Sequence, residues 1–408
     1  MTRVGRAIYG ENAQRSTPNV QRPIRDARVE RWALDVERWM LNASSGNPAL
    51  IRLIRAEIQK HGPQPFDWFM EQVLYHPEYG YYSCGRCAIG RKGDYFTNVS
   101  VGPLFGQLMA AEFAEIWEGL GKPENFVIVE QGAHDGQFAR DVLQASQERT
   151  REFFEALRYR IIEPFPIWRE WQSQMLKPFR DKVEWRNSLE PFTGLHFSNE
   201  LLDAMPARLI SGDVEKLVDL QDNKFVFIER RPSDAAFNQA ALNWVDSIAT
   251  NLQRGCVIII DYGYSGDEFQ GNVQVRARHR HLDSPFEQIG HADITMHVNW
   301  TSVARQAEVN GLQIAGFTDQ HHFLTGLISK PGRGASHEPP AVDCGQSPLP
   351  DSPKAKRALQ TLLHPEMLGR AFQVLAIAKN VNPHAARLAG FKFAREPGST
   401  LGLGNPGQ

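Results

Sequence analysis

The sequence predicts an α/β fold: a mostly parallel, doubly wound sheet with an N-terminal helical segment and antiparallel or irregular insertions. Three observations predict it. Short apolar runs at 126–129, 159–162, 194–198 and 255–260 read as buried strands. Segments of helical period lie between them. Each run ends in a carboxylate, at Glu130, Glu163, Glu200 and Asp261. Open α/β sheets bind ligands at the carboxyl ends of their strands, so these four acids are expected to share one cleft.

Residues 1–47 carry eight Arg, five acids and little apolar pattern before Trp32. They read as a disordered or non-native leader, with Met40 as an alternative start and a short helix at 30–41. A helical and loop cap follows over 48–120. PALIRLIRAEIQK (48–60) places Leu50, Ile51, Leu53, Ile54 and Ile58 on one helix face, and FDWFMEQVLY (66–75) is a second helix. In HPEYGYYS (76–83), Tyr79, Tyr81 and Tyr82 are expected in the core rather than lining a pocket. A loop over 90–106 leads into a helix at 103–118.

The core is expected over 121–330. Its opening strand runs into a glycine turn, Gly132-Ala-His-Asp-Gly136, and then a helix whose Phe138, Val142 and Leu143 share one face. Glycines let the backbone approach a ligand, and a helix start offers free N–H groups. A second strand ends at Glu163-Pro164, a helix spans 165–177, and further strands lie at 182–186 and 194–198. Gly212-Asp213 and Asp222-Asn223 mark hairpins, so 206–232 is read as an antiparallel insertion. A helix at 234–252 precedes the strand 255–264. A polar, irregular insertion at 265–297, a helix at 299–310 and a strand at 312–317 complete this part. Residues 331–356 are rich in Pro, Gly and Ser and read as a flexible loop. A last helix and strand occupy 357–380, and 381–408 reads as a disordered tail.

Composition narrows the function. A net charge of −2 gives no general attraction to nucleic acid or anionic membrane. No apolar run reaches the ~18 residues of a membrane span. Four cysteines do not make a disulfide scaffold, and a lone Cys84-Gly-Arg-Cys87 reads as two thiols in a surface loop. His279, His281, His291 and His297 match no compact ligand spacing, so no metal is expected. A hydrogen-bonded structural role suits His297 better than that of a base.

Glu163 follows Gly136 by 27 residues, where a dinucleotide fold sets a carboxylate on ribose hydroxyls. The first turn lacks the three-glycine spacing that seats a pyrophosphate. A nucleoside cofactor without phosphates fits better, which favours S-adenosylmethionine over NAD. Across from it, Asn199-Glu200-Leu-Leu-Asp203 offers paired carboxylates suited to clamping a cationic or proton-bearing nitrogen. A guanidinium is one such group, with Glu200 the first choice for that role and Asp203 the second. Asp203 also reads as a helix N-terminal acid.

The motifs together resemble the MidA-type S-adenosylmethionine-dependent methyltransferases, which include the mitochondrial complex I assembly factor that methylates an arginine. The carriers are HPEYGYYS, IGRKGDYFT (89–97), PLFGQ (103–107), VEQGAHDGQF (129–138), SNELLDAMP (198–206), IIDYGY (259–264), SPFEQIGHADITMHVNW (284–300) and LLHPEMLGRAFQVLAIAK (362–379). The resemblance implies a Rossmann-like class I methyltransferase fold. It implies cofactor contacts at Gly93, Asp94, Glu130, Gly132, Gly136 and Glu163, with Asn199, Glu200 and Asp203 facing the transfer site. It implies a protein acceptor, an arginine on a partner such as a respiratory-complex subunit, with no nucleic acid and no membrane span. A homodimer is compatible with it. The compartment would be the cytoplasm of a bacterium or the mitochondrial matrix of a eukaryote. Two departures stand out: His134 replaces the middle glycine of the family's turn, and Thr97-Asn98-Val99-Ser100 stands where a Pro-Glu pair is usual. These keep open an alternative, a methyltransferase-like binding or assembly factor with reduced turnover.

Overall fold

The computed structural model describes residues 46–87, 93, 97–232, 237–266, 272–329, 352–381 and 388–403. Helix α1 (Pro48–His61) starts where the Asn47 side chain accepts the N–H groups of Ala49 and Leu50, and it ends at Gly62. It buries Leu50, Ile51, Ile54 and Ile58, each contributing about 1.5–3 kcal/mol by burial. Leu53, expected on the same face, is 49% exposed, because the 3.6-residue turn sets it off that stripe. After the two-residue β1 (Gln64–Pro65), α2 (Phe66–Tyr75) buries Phe66, Phe69, Met70, Val73 and Leu74. The core proper begins with α3 (Leu104–Gly119), β2 (Phe126–Gln131), α4 (Gln137–Arg149), α5 (Arg151–Ala156) and β3 (Leu157–Ile162). It continues through α6 (Pro166–Met175), β4 (Val183–Arg186) and β5 (Phe192–Asn199). The first insertion is β6 (Leu209–Ser211), β7 (Val214–Gln221) and β8 (Lys224–Arg230), then α7 (Gln239–Asn251) and β9 (Leu252–Tyr264). The second is β10 (Val273–Ala277), β11 (Arg280–His281) and β12 (Asp293–Met296). The chain closes with β13 (Val298–Asn299), α8 (Trp300–Val309), β14 (Gln313–Asp319), α9 (Gln320–Ile328), α10 (Pro353–Leu363) and β15 (Phe372–Lys379).

The central sheet runs β14-β15-β9-β5-β2-β3-β4, with β13 beside the end of β9. Strands β4, β3, β2, β5 and β9 are parallel, and β15 runs antiparallel to both its neighbours. The chain leaves β2 towards one edge and returns on the other side of β2 at β5. A crevice therefore opens between the ends of these two strands, at the topological switch point. The unbroken apolar run of β9 follows from burial on both faces. Its Ile258 and Ile260 pack in one cluster with α3 and α4 residues, while Val257 and Ile259 pack in the other with Trp244 and Ile248 of α7.

The structure departs from the sequence reading in several places. The segment 265–297 is not simply irregular, because β10, β11 and β12 form a three-stranded antiparallel sheet within it. Helix α9 went unread; it starts where Asp319 accepts the His322 N–H. Residues 388–403, read as disordered tail, include a turn of helix at Ala389–Phe391, and Leu401 is fully buried in the α7–α8 cluster. The 30–41 helix and nearly all of the 331–356 loop lie outside the described residues. Residues 352–356, at the end of that expected loop, instead open α10 with Ser352 as its cap.

Candidate functional site

The turn after β2 is built on left-handed backbone. Gly132, His134 and Gly136 have φ of +79°, +46° and +85°. Such angles cost a residue with a Cβ about 1–2 kcal/mol, which is why glycine is the usual occupant. His134 takes the middle position all the same, and contacts fix its ring. The ring centroid lies 4.6 Å from that of Trp168, and Nε2 is 3.3 Å from the Cys87 carbonyl oxygen. Burial alone would lower the imidazole pKa. Asp135, 3.6 Å from Nδ1, and Cys87 outweigh that and raise it to about 10. Gly136 also needs its missing Cβ, which would sit 3.3 Å from Leu176 Cδ1 and 3.4 Å from Gln172 Cα.

Two acids stand at the neighbouring strand tips. Glu130 is buried, accepts the Tyr159 hydroxyl at 2.8 Å, and is pushed up to about 8 by burial. Glu163 is nearly buried. Its Oε1 accepts the Phe165 N–H at 2.9 Å and its Oε2 accepts Gln172 Nε2 at 3.1 Å. Burial raises its pKa, and these donors oppose the rise.

On the β5 side, Glu200 also has a left-handed backbone, with φ +54°. Its Oε1 accepts Asn199 Nδ2 at 2.9 Å, and Asn199 Oδ1 accepts Asn98 Nδ2 at 2.9 Å. The backbone N–H of Asn98 also donates to Glu200. Burial, then the charges of Asp261 and Asp293, push Glu200 up to about 8 against those donors. Asp203 is raised well above the carboxylate range by burial, Asp261, Glu200 and Asp293. Asp293, at the start of β12, accepts the Tyr82 hydroxyl at 2.6 Å. Glu200, Asp203, Asp293 and Tyr82 line a narrow crevice of about 20 Å³.

A larger cleft of about 650 Å³ lies at the switch point. It is walled by Glu130, Gly132, His134, Glu163, Asn199 and Glu200, with Phe138, Phe165 and Trp168 adding apolar surface. That volume falls in the range of small-molecule sites, ~300–1,000 Å³. Carboxylates at two adjacent strand tips, backbone exposed at a glycine turn and aromatic walls suit a nucleoside without phosphates. Within the described residues the Asn98 Oδ1 atom is buried without a partner, so polar capacity remains beside the transfer side.

Of the residues predicted for the site, Glu130, Gly132, Glu163, Asn199 and Glu200 line the cleft together. Gly136 sits at the far end of its turn, and Asp203 faces the crevice. Gly93 is buried but is not among the residues lining the cleft, and Asp94 lies outside the described residues. Asp261 does not share the cleft. Its Oδ2 accepts the N–H groups of Leu201, Leu202 and Asp203 at 3.1, 2.8 and 3.2 Å, so it clamps the chain beneath Glu200. Cys87 is not a surface thiol, since it is buried and lines the cleft. Tyr81 is core as expected, whereas Tyr82 lines both cavities. His297 Nε2 lies 2.9 Å from Gln274 Nε2 and its ring packs edge-on against Tyr264. Sequence reasoning missed Asn98, Gln172 and Asp293. Only Asn98 carried a signal, as the residue standing where an acid is usual.

The model of an S-adenosyl-L-methionine-dependent methyltransferase family matches residues 108–318, just over half of the chain. The chain belongs to this family. The methyltransferase uses S-adenosylmethionine as its cofactor, and the matched region holds the glycine turn and the tips of β2, β3, β5 and β9. Its relatives include the mitochondrial "Protein arginine methyltransferase NDUFAF7 homolog" of Drosophila melanogaster. That protein is 27% identical over 335 residues, covering 69% of this chain and 75% of its own. The Bos taurus mitochondrial protein arginine methyltransferase NDUFAF7 is 24% identical, covering 84% of this chain and 88% of its own. A Burkholderia thailandensis protein crystallised with S-adenosyl-homocysteine matches the methyltransferase with a TM-score of 0.73 at 28% identity, covering 85% of this chain and 96% of its own. No helix among the described residues is long and apolar enough to cross a membrane.

Proposed function

We propose that the methyltransferase methylates an arginine nitrogen on a partner protein, a respiratory-complex subunit being the candidate class. The observation that carries this reading is the Glu200 carboxylate. It stands at the cleft wall with its pKa pushed up to about 8 by burial, Asp261 and Asp293. No Lys or Arg among the described residues forms an ion pair with it. A cation entering beside Glu200 relieves the cost of holding that charge, and a guanidinium offers two parallel N–H donors to one carboxylate.

S-adenosylmethionine supplies a methyl group made electrophilic by its sulfonium. In this reading Glu130, Gly132 and Glu163 hold the cofactor from the cleft wall, Gly93, Asp94 and Gly136 are assigned to it by the family resemblance alone, and Asn199, Glu200 and Asp203 face the acceptor. Asn98 and Asn199 fix Glu200 by hydrogen bonds, so the acceptor meets a preorganised carboxylate. Pairing one end of a guanidinium with Glu200 localises its charge there and leaves lone-pair character on the other nitrogen. That nitrogen loses a proton on methylation, and a carboxylate with a pKa near neutrality can take it. The relatives named as mitochondrial support the mitochondrial matrix for a eukaryotic source.

The test is labelled-methyl transfer from S-adenosylmethionine to proteins of a cell extract, followed by acid hydrolysis. Methylarginine in the hydrolysate, lost with Glu200→Gln, is the expected result. Label in another amino acid overturns the acceptor assignment. Cofactor binding with no transfer to any protein points to the docking role instead.

A further inference from the structure

Gln172 lies on α6, is fully buried, and touches both parts of the cofactor end of the cleft. Its Nε2 donates to the His134 carbonyl oxygen at 2.8 Å and to Glu163 Oε2 at 3.1 Å. Its Oε1 accepts Trp185 Nε1, from β4, at 2.9 Å. These partners admit one amide orientation only. A flip would set Oε1 against two acceptors and Nε2 against a donor. The other Glu163 oxygen is held by the Phe165 N–H at 2.9 Å, so the carboxylate is fixed at both ends. The Gln172 backbone also backs onto Gly136, where an added Cβ would lie 3.4 Å from Gln172 Cα. One side chain thus ties the glycine turn after β2 to the tip of β3.

We infer that Gln172 is a positioning residue for the cofactor, holding the Glu163 carboxylate in the orientation that reads the ribose hydroxyls. This rests on the reading of Glu163 as the ribose acceptor. Gln172 does not touch the reacting atoms. It acts through Glu163, and it couples Glu163 to the turn that carries Gly132 and Gly136. A purely structural Gln172 would affect all ligands alike. A positioning Gln172 affects the part of affinity that depends on the ribose hydroxyl.

The test is calorimetric titration of the full chain with S-adenosyl-homocysteine and with its 2′-deoxyribose counterpart. Parent protein should prefer the ribose form by about tenfold, the scale of a charged hydrogen bond. Gln172→Met keeps the length and removes the amide. It should weaken the ribose form by roughly tenfold and shrink the preference to within about twofold. Gln172→Asn adds a second readout, and serves if the Met variant does not fold. It keeps the amide but withdraws it by one methylene from Glu163, and the preference should shrink likewise. An undiminished preference in folded Gln172→Met, or in folded Gln172→Asn, overturns the inference. A parent protein with no preference overturns the Glu163 reading itself, and this inference with it.

Discussion

Asn98 Nδ2 donates to Asn199 Oδ1 across 2.9 Å, joining the loop before α3 to the end of β5. Asn199 in turn donates to Glu200, and the Asn98 backbone N–H donates to the same carboxylate. A neutral amide therefore occupies a place where another acid would add to the repulsion that Glu200 already feels from Asp261 and Asp293. Asn98→Leu breaks this chain at a fully buried position. The loss of a buried hydrogen bond costs about 1–3 kcal/mol. Methyl transfer should fall roughly 10- to 100-fold, with S-adenosyl-homocysteine affinity unchanged within about twofold. Calorimetry and initial rates check it. A loss of cofactor affinity with normal turnover would move Asn98 to the cofactor side.

Glu200→Gln conserves size and removes charge. The Gln amide still pairs with Asn199 but cannot localise a cation's charge or accept the released proton. Transfer should fall by about 100-fold or more, the usual weight of a general base. S-adenosyl-homocysteine should bind as before. Equal turnover in variant and parent would remove Glu200 from the chemistry.

The buried acids also set the pH dependence of stability. Glu130 and Glu200 are pushed up to about 8 from 4.5, and Asp261 to about 7 from 3.8. Their folded pKa values exceed the unfolded ones, so the native state holds protons that the unfolded chain has released. Their contribution is complete below about pH 4 and is lost as pH rises towards 8. His134, raised from 6.5 to about 10, likewise stabilises below 6.5 and loses that contribution above it. His196, lowered to about 3 by burial, acts oppositely, adding stability as pH rises from 3 to 6.5. Above pH 6.5 the terms therefore agree. Each titrating group is worth about 1.4 kcal/mol per pH unit. The urea midpoint should fall between pH 6.5 and 8.5, and the Glu130→Gln, Glu200→Gln double variant should fall less steeply. A rising midpoint would show that these carboxylates are ionised and satisfied in the native state.

How much of this was legible in the sequence differs by residue. Apolar runs and their terminal acids gave the strands, because a strand buried on both faces cannot disguise its composition. The same rule misled at Asp261, where a strand-tip acid turned inward to collect three backbone N–H groups. Gln172 and Asp293 carried no signal, since their roles arise from α6 lying against β4 and from the pairing of β10 with β12. Leu401 was hidden by its setting: it and Leu403 are two leucines among Gly, Pro and polar residues, and both nonetheless pack on the α7–α8 cluster. Local pattern reports which face is apolar, and only tertiary contact reports what meets it.

His134 and Gly136 sit two residues apart in one turn, both left-handed, and should differ in their response to substitution, the first nearly neutral and the second costly. His134→Gly removes the strain of a side chain at φ +46°, about 1–2 kcal/mol. It also removes the ring contacts with Trp168 and Cys87, so the two effects oppose each other. S-adenosyl-homocysteine affinity should stay within about threefold of the parent. Gly136→Ala gains only cost. It adds strain at φ +85°, and its Cβ meets Leu176 and the Gln172 backbone, which cannot retreat without moving the α6 helix. Stability should drop by about 1–3 kcal/mol, and cofactor affinity should drop with it, because the Gln172 that holds Glu163 is displaced. Urea unfolding and calorimetry on the two variants decide the matter. A His134→Gly protein that no longer binds the cofactor would mean that the imidazole itself is part of the binding site.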